Sequence, residues 1–118
     1  MATVLNITNQ GSLILMLYEG ALKFLGKAKE ALTKKEDSDV GSNIIKAQNI
    51  LTELMVSLDM SKGEVAKNLY KLYDYMNHRL IEANIKKDSG LINEVQGMVK
   101  ELKDTWELAI EKLEEEKV

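Results

Sequence analysis

The sequence predicts an all-α protein, an antiparallel four-helix bundle with a short N-terminal arm, and three observations predict it. The 118 residues contain no proline. Ala, Leu, Lys and Glu dominate, residues that lose least on entering a helix. Three polar breaks divide the chain: Thr33-Lys34-Lys35-Glu36-Asp37-Ser38-Asp39, Asp59-Met60-Ser61-Lys62-Gly63 and Lys87-Asp88-Ser89-Gly90. Between the breaks, apolar residues recur every three or four positions, the period of a helix buried along one face. The length suits one domain with one core. An apolar fraction of 45% is that of a globular chain rather than a disordered one. Residues 1–11 are assigned to the arm and 12–118 to the bundle.

Helix one, about 12–34, carries Ile14, Leu17, Ala21, Phe24, Ala28 and Ala31 on one stripe. Its charged face holds Glu19, Lys23, Lys27 and Glu30. Helix two, about 40–60, carries Ile44, Ala47, Leu51, Leu54 and Leu58, with Ser38 or Asp39 placed to cap its first turn. Helix three, about 62–87, carries Leu69, Leu72, Tyr73, Met76, Leu80 and Ala83. Ser61 followed by Glu64 has the spacing of a capping box at its start. Helix four, about 90–116, carries Leu91, Val95, Met98, Leu102, Ala109 and Leu113, capped by Asp88 or Ser89. Short connections between rods of ~30–40 Å, at about 1.5 Å per residue, make neighbours antiparallel.

The apolar faces are wider than one core requires. Helix one has a flanking set in Leu15, Tyr18, Leu22, Leu25 and Leu32, and Met16 falls on its charged row. Helix two places Ile45, Ile50, Met55 and Val56 beside or away from its stripe. Helix four has a second row in Ile92, Val99, Trp106 and Ile110. A buried stripe covers about 100° or somewhat more of a helix, so the excess either fattens the core or lines grooves that receive helices of a partner. Tyr70, Tyr73 and Tyr75 on helix three divide in the same way, between boundary packing and an aromatic docking platform.

Catalytic chemistry finds no support. There is no cysteine, hence neither disulfide nor thiolate. The one histidine, His78, lies on the solvent side of helix three with Lys71, Asp74 and Glu82, and Tyr75 stands where a Glu-x-x-His metal pair needs its glutamate. The seven glycines form no phosphate-cradling loop. No cofactor and no metal are expected. Glu114-Glu115-Glu116 reads as a solvated helix end. The net charge of −3 argues against a nucleic-acid partner. The longest apolar run, Leu13 to Tyr18, is too short to cross a bilayer, and the N-terminus lacks the pattern of a secretion signal. A cytoplasmic protein without membrane insertion is expected. Two other functional classes fit a four-helix bundle. A histidine phosphotransfer domain would use His78, but His78-Arg79-Leu80-Ile81-Glu82 matches only the leucine of that class's His-x-Leu-Lys-Gly pattern. A structural oligomerisation domain would pair through the wide apolar faces.

Two stretches resemble the flagellin-specific export chaperones of bacterial flagellar systems. The first is Leu13-Ile14-Leu15-Met16-Leu17-Tyr18-Glu19-Gly20-Ala21. It is similar to that family's Leu-[Ile/Val]-x-[Met/Leu]-Leu-Tyr-[Asp/Glu]-Gly-Ala opening. The second starts at Ile45-Lys46-Ala47-Gln48 and continues through Ser57-Leu58-Asp59, Gly63 and Ala66. It then runs from Asn68-Leu69-Tyr70 to Tyr75-Met76 and closes with Arg79-Leu80-Ile81-Glu82-Ala83-Asn84. Two departures stand out: Asn9-Gln10-Gly11-Ser12 occupies a turn where the family often has proline, and the arm is short and lacks an aromatic residue.

The resemblance implies a bundle that holds the C-terminal segment of flagellin, disordered when free and helical as it wraps along grooves. It also implies delivery to the flagellar export gate and contact in some members with an anti-sigma factor. The residues expected to touch the partner are Ile14, Leu17 and Tyr18 on helix one, and Ile45, Met55 and Leu58 on helix two. Leu69, Leu72, Tyr73 and Tyr75 on helix three join them, with Asp59 and Asn68 positioning polar groups of the guest. Val4, Leu5 and Ile7 are placed to fold back as a short lid.

Overall fold

A computed structural model of the chain describes residues 2–116, with side chains described for 11–112 and 115. It contains four α-helices: α1 (Ala2–Thr33), α2 (Asp37–Ser57), α3 (Glu64–Lys86) and α4 (Ser89–Glu116), with one 3₁₀ turn at Met60–Lys62. α1 packs on α2 and α4, and α3 packs on the same two helices from the other side. α1 and α3 are therefore diagonal, as are α2 and α4, in a square antiparallel bundle. The 32 residues of α1 span about 48 Å at the usual rise, and the long axis of the molecule is 51 Å.

The core differs in detail from the expected stripes. On α1 the buried residues are Tyr18, Ala21, Leu25, Ala28 and Ala31, while Ile14, Leu17 and Phe24 are only partly covered. Tyr18 and Leu25 of the flanking set thus join Ala21, Ala28 and Ala31 of the expected stripe at the centre, because α1 must face the seam between α2 and α4 rather than one partner. α2 buries Val40, Ile44, Ala47, Leu51 and Leu54. α3 buries Ala66, Tyr73, Met76, Leu80 and Ala83. α4 draws on both of its rows, with Leu91 and Val95 from one and Ile92 and Val99 from the other. Trp106 and Leu102 continue this packing half-buried, Ala109 is exposed, and the side chain of Leu113 lies outside the described residues. Small residues let the rods approach closely. A Cβ on Gly11 would meet Ile110 at 3.2 Å, and one on Gly20 would meet Ile50 at 3.2 Å.

Helix boundaries follow local chemistry more than the expected caps. Residues 2–11, assigned to an arm, continue α1 as helix, since nothing in Asn9-Gln10-Gly11-Ser12 forces a break. The side chains of Val4, Leu5 and Ile7, proposed as a lid, lie outside the described residues. α1 ends where Lys35 turns left-handed at φ 59, with the Glu36 amide donating to the Ala31 carbonyl at 2.9 Å. That closure starts α2 at Asp37, so neither Ser38 nor Asp39 is its cap; Glu36 holds that place without a side-chain bond. The capping box at Ser61 also fails to form. Asp59 accepts from the Ser61 amide at 3.0 Å and from its hydroxyl, which winds Met60–Lys62 into the 3₁₀ turn and leaves Gly63 at the N-cap of α3. Asp88 caps α4 as expected, accepting from the Gly90 amide at 2.7 Å and the Leu91 amide at 3.3 Å.

Candidate functional site

Six successive apolar residues, Leu13 to Tyr18, sweep a full circle at about 100° each. Such a run cannot be buried on one face. Tyr18 takes the core, and Leu13 and Met16, one turn apart, are left 59% and 64% exposed. Opposite them runs the C-terminal half of α2. Leu13, Ile14, Met16 and Leu17 from α1 and Glu53 and Ser57 from α2 line a groove of about 580 Å³. That volume falls within the range of about 300–1,000 Å³ typical of binding clefts. Its walls are mostly hydrocarbon, and Glu53 is its one charged lining residue.

A smaller furrow of about 210 Å³ lies between α3 and α4, lined by Leu72, Met98, Glu101, Leu102 and Thr105. Further along the same seam, polar groups close the surface. The Tyr75 hydroxyl donates to Glu94. Arg79 donates to Glu94 at 2.8 Å and to Glu82 at 3.1 Å, and Lys86 donates to Glu82 at 2.7 Å. The hydroxyl of Tyr75, then the guanidinium of Arg79, hold the Glu94 carboxyl below the usual carboxylate range. The same bond to Glu94 pushes the Tyr75 phenol up. The α2/α3 seam carries half-exposed Ile45 and Ile81. There the Asn77 amide donates to the Thr52 hydroxyl at 3.4 Å, and its buried carbonyl oxygen has no partner among the described residues.

The residues expected to meet a partner therefore divide. Ile14 and Leu17 line the main groove. Leu72 lines the α3/α4 furrow, and Leu69 is half-buried against the core. Ile45 is exposed on the α2/α3 side, and Met55 and Leu58 are partly covered. Tyr75 is exposed but engaged with Glu94. Asn68 is exposed, and Asp59 is exposed while spending its carboxylate on the 3₁₀ turn. The Ser61 hydroxyl and amide hold the Asp59 carboxyl below its ordinary range. Tyr18 and Tyr73 are 3% and 2% exposed and lie in the core, with no surface to offer in this state. Leu13, Met16, Glu53 and Ser57 were not singled out from sequence as contacts. Met16 had the one usable signal, an apolar side chain on a charged row.

His78 is exposed, with Nδ1 2.8 Å from the Asp74 carbonyl oxygen of its own helix. Among the described residues no group of three or more acidic or histidine side chains stands close enough to hold a metal. Among the same residues no helix is long and apolar enough to cross a membrane.

An open apolar groove on a helical bundle is a surface of the kind that an amphipathic helix can fill. The chain belongs to the flagellar protein FliS family, which matches residues 2–113. The flagellar secretion chaperone FliS of Bacillus subtilis (strain 168) is 42% identical to it over 106 residues, 90% of this chain and 79% of that protein. The flagellar secretion chaperone FliS of Salmonella typhimurium (strain LT2) is 40% identical over 96 residues, 80% of this chain and 71% of that protein. The flagellar secretion chaperone FliS of Escherichia coli (strain K12) is 36% identical over 100 residues, covering 83% and 74%.

Proposed function

We propose that this protein is a cytoplasmic, non-enzymatic export chaperone that binds the C-terminal segment of flagellin. It prevents premature polymerisation and supports delivery to the flagellar export apparatus, with the export gate and an anti-sigma factor as further partners. The observation that carries the reading is the α1/α2 groove, in a chain whose relatives are named secretion chaperones. The terminal helices of flagellin are amphipathic and pack on one another in the filament, so left free they associate. A preformed groove lets such a segment fold on the bundle and bury its apolar face. Ordering a disordered segment costs roughly 2–5 kcal/mol or more of the gross interaction energy. An extended wrap offsets that cost better than a compact epitope. The main groove and the α3/α4 furrow together give the guest a track on two sides of the molecule.

The test is binding of a flagellin C-terminal peptide to the full chain, followed by anisotropy and by the peptide's gain of helical circular dichroism. Met16→Asp places a charge in the groove wall at a site 64% exposed, so it weakens capture while the bundle stays folded. Met55→Glu is the poorer probe, because Met55 packs on the core and its sulfur receives the Asn77 amide at 3.8 Å. Undiminished affinity in Met16→Asp removes the α1/α2 groove from the binding surface. No binding by the unsubstituted chain removes the chaperone reading itself.

A further inference from the structure

The main groove has a chemistry of its own, set by a single charge. Four of its six lining residues are Leu13, Ile14, Met16 and Leu17, and the fifth is Ser57. The sixth, Glu53, stands one helical turn before Ser57 on the α2 wall. Some acids of the bundle have cations beside them, such as Glu30 with Lys34, Glu82 with Lys86 and Arg79, and Asp104 with Lys100. What sets Glu53 apart is its place as the one charge in the lining of an apolar groove. Among the described residues Glu53 has neither a cation within ion-pair distance nor a hydrogen-bond donor, for its neighbours across the groove are hydrocarbon. Water satisfies this carboxylate while the groove is open. A helix laid into the groove strips part of that water away. A docked apolar or acidic group beside Glu53 then leaves a desolvated charge unpaired or repelled, whereas a cation converts it into a charge-assisted hydrogen bond.

We propose that Glu53 makes the α1/α2 groove selective for an amphipathic helix that carries a lysine or arginine flanking its apolar stripe. The inference rests on the groove being the docking site and adds to it the charge of the occupant. The apolar anchors of such a segment fill the space between the Leu13–Met16 ridge and the Ile14–Leu17 floor. The cation sits at the edge of the stripe, on the side turned to α2. Charge complementarity here sets register and partner choice more than raw affinity, since misplacing the cation by one residue rotates it by about 100° away from Glu53.

The experiment uses the full chain and three designed amphipathic peptides of about 20 residues with one leucine stripe. They differ only at the flanking position, which is Lys, Gln or Glu. The expected order of affinity is Lys, then Gln, then Glu, with steps of about threefold or more, as expected for a pair between half-solvated and buried. Glu53→Lys inverts the order, and about 0.5 M salt compresses it. Equal affinity of the three peptides for the unsubstituted chain, or an order that Glu53→Lys leaves unchanged, overturns the charge selection and leaves the groove intact. Binding that is indifferent to Met16→Asp, or no binding of any peptide, takes away the groove and the selection together. Helical circular dichroism of Glu53→Lys confirms folding, which an exposed helical site permits.

Discussion

The hydroxyls of Tyr18 on α1 and Tyr73 on α3 meet at 2.6 Å across the diagonal of the bundle, between helices whose backbones do not touch. Two long side chains reach into the centre from opposite corners, and each phenol supplies the other's partner in a core with no other buried polar residue among those described. Removing one hydroxyl leaves its mate unsatisfied, which costs about 1–3 kcal/mol. Tyr18→Phe and Tyr73→Phe are each expected to lower the free energy of unfolding by that order. The double Phe variant should lose less than the sum, because it removes both polar groups. Urea denaturation of the four proteins checks it; additive losses would mean that the hydroxyls are not coupled.

The same pair makes stability fall in alkali. Burial raises both phenol pKa values above the ordinary 10.0, and the bond to Tyr18 lifts Tyr73 further, while the bond to Tyr73 pulls Tyr18 back in part. Above that pH the unfolded chain releases protons that the folded chain retains. The folded state then binds more protons, so stability is complete below pH 10 and declines as pH rises beyond it. The slope is at most about 1.4 kcal/mol per pH unit for each tyrosine. Chemical denaturation at successive pH values should show this decline, shallower in Tyr18→Phe.

Much of the architecture is legible in sequence, and the reason is periodicity. The stripes Ile44-Ala47-Leu51-Leu54 and Met76-Leu80-Ala83 are buried as their spacing requires. On α1 the rule is degenerate: Ile14-Leu17-Ala21-Phe24 and Tyr18-Ala21-Leu25-Ala28 both step by three and four. Which row lies central depends on where α2 and α4 sit, and that is tertiary information. The groove was half-legible for the same reason. A run that covers a whole helix guarantees exposed apolar residues, but their identity follows from the rotation of α1. Glu53 gave no signal, since its meaning comes from Leu13 and Met16 facing it across a groove. The expected cap at Ser61 misled because Asp59 accepts the Ser61 amide and hydroxyl, which makes Ser61 a donor inside the 3₁₀ turn instead of the acceptor a capping box needs.

That reading of α1 separates two leucines of one helix. Leu25 is fully buried, and Leu13 lies on the groove wall. Leu25→Ala removes packed methyl groups and leaves a cavity, an expected loss of about 2–5 kcal/mol. Leu13→Ala trims a side chain already in contact with water and should stay within about 0.5 kcal/mol of the parent. Thermal or urea unfolding distinguishes them. Equal losses would place Leu13 in the core and close the groove.

Besides Lys35, two turns hold the backbone at positive φ, at Gly63 and Lys87, and these two residues point to opposite substitutions. Gly63, at φ 81 and ψ −144 between the 3₁₀ turn and α3, occupies a region nearly closed to side-chain-bearing residues. A Cβ at Gly63 would meet nothing within 4 Å, so any penalty is conformational rather than steric crowding. Gly63→Ala is expected to destabilise by about 1–3 kcal/mol. Lys87 closes α3 in the left-handed region at φ 51, with the Asp88 amide donating to the Ala83 carbonyl at 3.2 Å. Glycine is the residue that adopts this position without a Cβ penalty. Lys87→Gly also loses the side-chain bond to Asn84 at 2.8 Å, which is half-solvated, so the net expectation is a gain of up to about 1 kcal/mol. Paired urea curves decide between these effects. A neutral Gly63→Ala would mean that the turn relaxes to another conformation, and a destabilised Lys87→Gly would mean that the bond to Asn84 outweighs the strain at the helix end.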